Sequence, residues 1–403
     1  MVKCNNAFLF LLGSTLASSV NAGGLDHWHY NGFVSQSAIN TSDNYFFGPS
    51  DDGVNLDFRE LALIINGNPF NSISVAAQLL SRKAGVADDG APRIDYGLIS
   101  WRFQDGVDVT QGLSLGRIKV PFGFFNDTRE SPFGRMGIFL PQSVYGDRYR
   151  NSTMTADELL YFGEYRNAEW TVGVKTGYGR SNPDRDELMD VFRSKVQLEQ
   201  LQIYRTEKWN FQLLADYDGG RFRAGFSRML VPVDFSGNFR VSPTFVLQQA
   251  SVLLTYMNLI SLEWNQDAIS LTSEIHKSVV NYGDLPVDVS NPDYKDYPEG
   301  GYVQLKWHAT PTWDLYARED IDYFNQKDRD GKKYAAIQGV DAFSRFVYDR
   351  TIGVAYRPRG DWLIMAELHR VNGTMWLTLR DTPDNYTIKQ YWDMAAVSVA
   401  WRF

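Results

Sequence analysis

The chain ends Met394-Ala395-Ala396-Val397-Ser398-Val399-Ala400-Trp401-Arg402-Phe403. Ala395, Val397, Val399, Trp401 and Phe403 alternate with Met394, Ala396, Ser398, Ala400 and Arg402. Period-two alternation puts each set on its own face of a β-strand. About ten residues of it suffice for a tilted strand to cross a bilayer. The same pattern recurs upstream. Trp313, Leu315, Ala317 and Ile321 alternate with Asp314, Tyr316, Arg318, Asp320 and Asp322. Trp170, Val172 and Val174 alternate with Thr171, Gly173 and Lys175, and Phe222, Ala224 and Phe226 with Arg221, Arg223 and Gly225. Helical stripes are scarce, and the best of them, Asp186 to Val196, falls in a stretch that reads as a loop.

Read along the chain, this period predicts strands near 27–39, 54–66, 73–83, 92–103, 110–120, 157–167, 169–178, 208–217, 220–230, 258–265, 268–279, 299–308, 312–323, 345–357, 361–371 and 389–403. Their connections alternate between tight turns (Asn167-Ala168, Asp218-Gly219, Pro358 to Gly360) and long loops (40–53, 121–156, 179–207, 231–257, 280–298, 324–344, 372–388). Turns on one side and loops on the other are what an up-and-down barrel across a membrane produces. The expected fold is therefore all-β: a transmembrane antiparallel barrel of sixteen strands, with both termini on the turn side. Trp101, Trp170, Trp264, Trp307, Trp313, Trp362 and Trp401 all lie near a tight turn or the C-terminus. Such placement suits an aromatic girdle at one water–lipid boundary.

Composition agrees. The 403 residues are 44% hydrophobic and 14% aromatic, which excludes a disordered chain. A net charge of -8 excludes a general nucleic-acid binder. Beyond residue 22 there is no apolar run of helix-spanning length. Residues 1–22 read as a signal peptide: Lys3, an apolar stretch from Ala7 to Leu12, and Val20-Asn21-Ala22 before the cleavage point. Removing it also removes Cys4, the one cysteine. Residues 23–403 are then a single barrel domain, expected in the outer membrane of a Gram-negative bacterium, in contact with its lipid and lipopolysaccharide.

Sixteen strands leave an interior too wide for side chains to fill. The alternation assigns Lys175, Arg221, Arg223, Glu263, Glu274, Lys306, Arg318, Asp320 and Glu367 to the lumen, with Gln78, Thr171, Gln212, Thr272, Gln304 and Arg402. It does not decide the face of Asp57, Arg59 and Glu60. Loop 121–156 carries apolar residues as well as charges, and such a loop needs something to pack against. The inside wall is the simplest place, where the loop would narrow a channel and act strongly on a passing ion. The candidates for that constriction are Asp127, Arg129, Glu130, Arg135, Asp147, Arg148 and Arg150, with Arg117 and Lys119 just before it. Their basic majority points to a mild preference for anionic or zwitterionic solutes. A solvated surface loop is the alternative.

Gly116-Arg117-x-Lys119-x-Pro121-x-Gly123, the third-loop position and Phe403 resemble general trimeric porins of Gram-negative bacteria and, more distantly, phosphate-selective porins. The fuller pattern resembles a family of poorly characterised proteobacterial porin-like proteins. It comprises Gly32-Phe33-Val34-Ser35-Gln36, Asp57-Phe58-Arg59-Glu60-Leu61, Ala77-Gln78-Leu79-Leu80-Ser81-Arg82, Asn126-Asp127-Thr128-Arg129, Leu140-Pro141-Gln142-Ser143 and Tyr391-Trp392-Asp393. The resemblance implies a sixteen-stranded homotrimer with a folded-in third loop, and the closing Phe403 resembles the signal read by the barrel-assembly machinery. Acidic Glu263, Glu274, Asp320 and Glu367 depart from the basic ladder of phosphate-selective members.

The expected function is passive diffusion of small hydrophilic solutes, without a cofactor and without catalysis. No phosphate-binding glycine loop or nucleophile elbow is present. Glu274-x-His276 and Glu367-x-His369 read as lumen lining. Asp328-Arg329-Asp330-Gly331 lacks the outer ligands of a calcium loop. The rival readings are a cell-surface barrel enzyme and a plugged structural or adhesin barrel.

Overall fold

The computed structural model describes residues 28–181, 183–185, 187, 197–204, 207–242, 245–282, 295–382 and 386–403. The signal segment and most of the helical stripe at 186–196 lie outside them. Sixteen barrel strands run in chain order among the described residues: β1 Trp28–Thr41, β2 Asn55–Phe70, β3 Ile73–Ala84, β4 Arg93–Asp105, β5 Val109–Lys119, β6 Thr155–Arg166, β7 Trp170–Arg180 and β8 Glu207–Tyr217. They continue as β9 Phe222–Ser242, β10 Phe245–Gln266, β11 Ile269–Asn281, β12 Glu299–Thr310, β13 Trp313–Tyr323, β14 Phe346–Tyr356, β15 Trp362–Gly373 and β16 Tyr391–Arg402. Each pairs antiparallel with its neighbours, and β16 returns to β1 with Val34 opposite Trp401 and Ala38 opposite Val397. Closure pairs the first and last strands, so neither is left as a free edge. Just past β16, Phe403 exchanges two backbone bonds with Gly32 (2.9 and 3.0 Å), and any Cβ at Gly32 would lie 2.7 Å from the Phe403 ring.

All sixteen predicted strands are present, and one predicted loop is not. Residues 231–242 and 245–257 extend β9 and β10, with Val231 opposite Thr255 and Phe235 opposite Ser251.

Outward residues form an exposed apolar band that includes Leu61, Ile99, Leu115, Leu159, Ile260, Ile275, Ile352 and Leu368. A band this extensive is a liability in water and suits hydrocarbon. At its turn-side border Trp313 stacks on Tyr356 (4.3 Å), Trp170 meets Tyr217 (4.8 Å), and Trp401 bridges Trp362 and Phe403. This is the girdle expected from the tryptophan positions.

Candidate functional site

The third long loop leaves β5 at Lys119 and rejoins the wall at Thr155. Between them run the short turns Asn126–Thr128, Pro132–Gly134, Gln142–Tyr145, Asp147–Tyr149 and Arg150–Thr153. Its apolar side chains explain why it turns inward. Phe122, Met136, Leu140, Val144 and Tyr145 pack on Met229, Val231, Leu259 and Tyr302 of β9, β10 and β12. Ile138 and Phe139 pack on a second group that includes Phe46, Phe47, Phe58, Met365 and Trp392. Phe139 touches Phe58 of β2 at 5.3 Å and His369 of β15 at 5.9 Å. The loop thus lies across the lumen and reaches wall strands on both sides of it.

Polar wall residues fasten the loop backbone. Glu274 of β11 accepts bonds from the Tyr145 hydroxyl (2.6 Å), the Tyr302 hydroxyl (2.6 Å), the Ser261 hydroxyl (2.5 Å) and the Phe124 N–H (3.0 Å). Glu367 of β15 accepts from the Ile138 N–H (3.0 Å) and the Tyr316 hydroxyl (2.8 Å). Asp320 accepts from the Gln142 N–H at 2.8 Å, while Gln212, Gln304 and Arg318 donate to the carbonyls of Gly123, Met136 and Phe139. Buried polar groups are costly unless paired, so each bond both satisfies the loop and holds it. Two glycines make the approach possible. A Cβ on Gly123, whose φ is +61°, would lie 2.2 Å from the Tyr145 hydroxyl, and one on Gly137 would lie 2.2 Å from Glu367.

Beside this anchor lies a buried cluster of charges. Arg82 of β3 pairs with Asp88 (2.7 Å), Asp147 (2.8 Å) and Glu60 (3.5 Å), and Arg135 pairs with Glu60. Arg150 pairs with Glu130 (3.0 Å) and Asp95 (3.5 Å), Arg129 with Asp147 (3.4 Å), Lys119 with Asp95 (3.3 Å), and Arg93 with Asp88. Burial opposes ionisation of Glu130, but Arg150, Arg82, Lys119 and Arg129 outweigh it and hold its carboxyl well below the usual carboxylate range. Asp88 is likewise held low, by Arg82, Arg150 and Arg93 against its own desolvation. Burial lowers Arg129, and Asp147 and Glu130 only partly compensate. Burial and the Glu274 carboxylate push the Tyr145 phenol well above its ordinary value.

The residues singled out from sequence divide into three groups. Arg129, Glu130, Arg135, Asp147, Arg148 and Arg150 come together in the loop, but as ion-paired or backbone-bonded groups that are mostly buried; Arg148 donates to the Met375 carbonyl at 3.3 Å. Glu274, Arg318, Asp320 and Glu367 face inward as expected, and they hold the loop instead of facing open water. Only the third group meets open space: Lys175 with Asp127 (2.9 Å, side chains 37% and 44% exposed), Arg223 with Glu263 (3.0 Å), and Lys306, further toward the turn end of β12.

Two assignments are corrected. Arg117 is on the outer face, opposite Asp157 (3.0 Å) and in line with exposed Leu115 and Leu159, because strand parity carries it there. Arg221 lies just before β9, at the turn, where it pairs with Asp218 (2.9 Å), so it is not in the wall. The interior is narrowed where the loop crosses it. At the level of the loop, inward side chains are buried on strands right round the barrel, among them Ser35, Glu60, Arg82, Glu158, Asn210, Ser227, Ser261, Gln304, Asp349 and Ser398. A cavity of about 30 Å³ among Arg82, Asp88, Asp147, Arg148 and Arg150 has room for about two waters. Asp328 accepts the N–H groups of Lys333 and Tyr334. Sequence reading missed the anchors Tyr145, Tyr302, Tyr316, Glu60, Arg82, Asp88 and Asp95. Inward parity with Ala62 and Leu80 was the signal available for Glu60 and Arg82.

A closed sixteen-stranded antiparallel barrel, with its third long loop folded in and fastened to the wall, is the architecture of outer-membrane porins. The chain has that fold. No protein-family model and no curated protein matches the sequence, but solved structures do. One is the outer-membrane expressed OmpT of Vibrio cholerae, at 11% identity and a TM-score of 0.58, covering 93% of this chain and 97% of that one. Another is the outer membrane channel DcaP of Acinetobacter baumannii, at 12% and 0.53, covering 93% and 97%. A third is Pseudomonas putida OprB, at 10% and 0.54, covering 94% of each.

Proposed function

We propose that this chain is an outer-membrane channel for small hydrophilic solutes, whose aperture is set by its own third loop. The loop held across the lumen by Glu274, Glu367 and Asp320 is the observation that carries this reading. The exposed apolar band and the turn-side girdle support a bilayer location, and the signal-like N-terminus and closing Phe403 support export and assembly into an outer membrane. The charges that meet open space are three basic side chains (Lys175, Arg223, Lys306) against two acidic ones (Asp127, Glu263), which supports a mild preference for anionic or zwitterionic solutes. A homotrimer fits the fold, since one similar structure, in-vitro folded OmpT, is described as a trimer form. We read the barrel as noncatalytic: His369 is buried between Asp349 (2.8 Å) and Glu367 (3.2 Å), on the wall behind the loop.

Burial round the lumen favours a second reading, a plugged barrel. Planar-bilayer recording separates the two. A channel gives discrete openings, in triplets if trimeric, and a reversal potential on the anion side. A plugged barrel gives no openings in the wild type.

A further inference from the structure

Between the inward loop and the long-loop end of the barrel, the structure encloses a cavity of about 150 Å³. Most of its wall is aliphatic or aromatic: Val231 and Val233 of β9, Met257 of β10, Val280 of β11, and Phe324 just past β13. A polar pole interrupts it. There His276 Nε2 meets Asp322 at 3.3 Å, His276 Nδ1 meets the Ser278 hydroxyl at 3.2 Å, and loop residues Gln142 and Ser143 complete the lining.

An open hydrophilic channel has no use for such a surface. Apolar walls with a few convergent polar groups are the usual make-up of a ligand site. Cavities of about 150 Å³ lined by aliphatic side chains hold a single six-membered ring. The polar pole decides what that ring carries. The Ser278 hydroxyl can donate and accept, and Asp322 can only accept while ionised. A hydroxyl on the ring answers both. A carboxylate does not, because it would enter an apolar pocket beside the acidic Asp322 and Glu187.

We propose that this cavity is a binding site for a small neutral ring alcohol of the phenol type, held on the loop side in front of the constriction. The site requires the folded barrel and docked loop but not ion conduction, so it stands apart from the channel reading.

Phenol titration of the full-length protein in detergent micelles, followed by ligand-observed NMR, tests it. The expected result is saturable phenol binding, with benzoate at least tenfold weaker. Val233→Phe and Val280→Phe should each weaken phenol at least tenfold by filling the cavity, while heat-modifiable gel mobility reports that the barrel is intact. Whatever signal survives in both filled variants is partition into the micelle. Absence of saturation in the wild type, equal binding by both filled variants, or benzoate binding as well as phenol would each overturn the proposal. Saturable phenol binding by a protein with no bilayer openings would leave this site standing and remove the channel.

Discussion

The Tyr145 hydroxyl, on the inward loop, donates to Glu274 Oε2, on the wall strand β11, at 2.6 Å. The same hydroxyl accepts the Phe125 N–H at 3.0 Å, so one oxygen ties the two ends of the loop's inner turn to the barrel. Hydrogen bonds to a charged group contribute about 1.5–3 kcal/mol each. Tyr145→Phe should therefore loosen the loop without disturbing the barrel. Single-channel conductance should rise, and the unfolding temperature should fall by a few degrees. A variant with wild-type conductance would show that this bond does not set the aperture.

Gly123 is the hinge of the same anchor. Its φ of +61° is accessible to glycine and strained for alanine, and its neighbours leave no room for a Cβ. Gly123→Ala should cost about 1–3 kcal/mol of loop docking from backbone strain alone. Limited proteolysis should then cut within 121–154 at least several-fold faster than in wild type. Equal cleavage rates would mean that the loop yields to the methyl group by a small shift.

Acid should release the charge cluster late. Glu130 is held below its ordinary pKa, so its contribution is fully present above the unfolded value of about 4.3. That contribution declines as pH falls below this value toward the depressed folded one. The gap in unfolding temperature between wild type and Glu130→Gln should be constant from pH 7 to 5 and shrink below about pH 4. A gap that does not change down to pH 3 would contradict the assignment.

Among the described residues, Lys175 and Asp127 form the one ion pair between the third loop and the wall with both partners more than a third exposed. Exposed pairs contribute little to stability, about 0–1 kcal/mol, but their charges still act on ions in the lumen. Lys175→Gln should leave the unfolding temperature unchanged and move the reversal potential toward cations. Arg135→Gln should instead lower the unfolding temperature, because it removes one of the two buried arginines that pair with Glu60, at a cost of up to about 3–5 kcal/mol. Equal thermal behaviour of the two variants would reject this division of roles.

The barrel itself is readable because its information is local. Period two, tight turns at alternate ends and tryptophans near those turns are properties of neighbouring residues, and the sixteen strands follow from them. The extension of β9 and β10 reads as part of a loop in sequence, and only the cross-strand register of the two strands reveals it. Parity also placed Glu274, Asp320 and Glu367 on the inner wall. It could not say whether they meet water or protein, since that depends on a loop contributed from elsewhere in the chain. Tyr145 and Glu274 are separated by 129 positions, and Ile138 and Glu367 by 229. Sequence by itself therefore determined that there is a barrel and which side chains point into it. Tertiary structure alone decided that those side chains grip a loop, because cross-lumen distances are set only when the sheet closes.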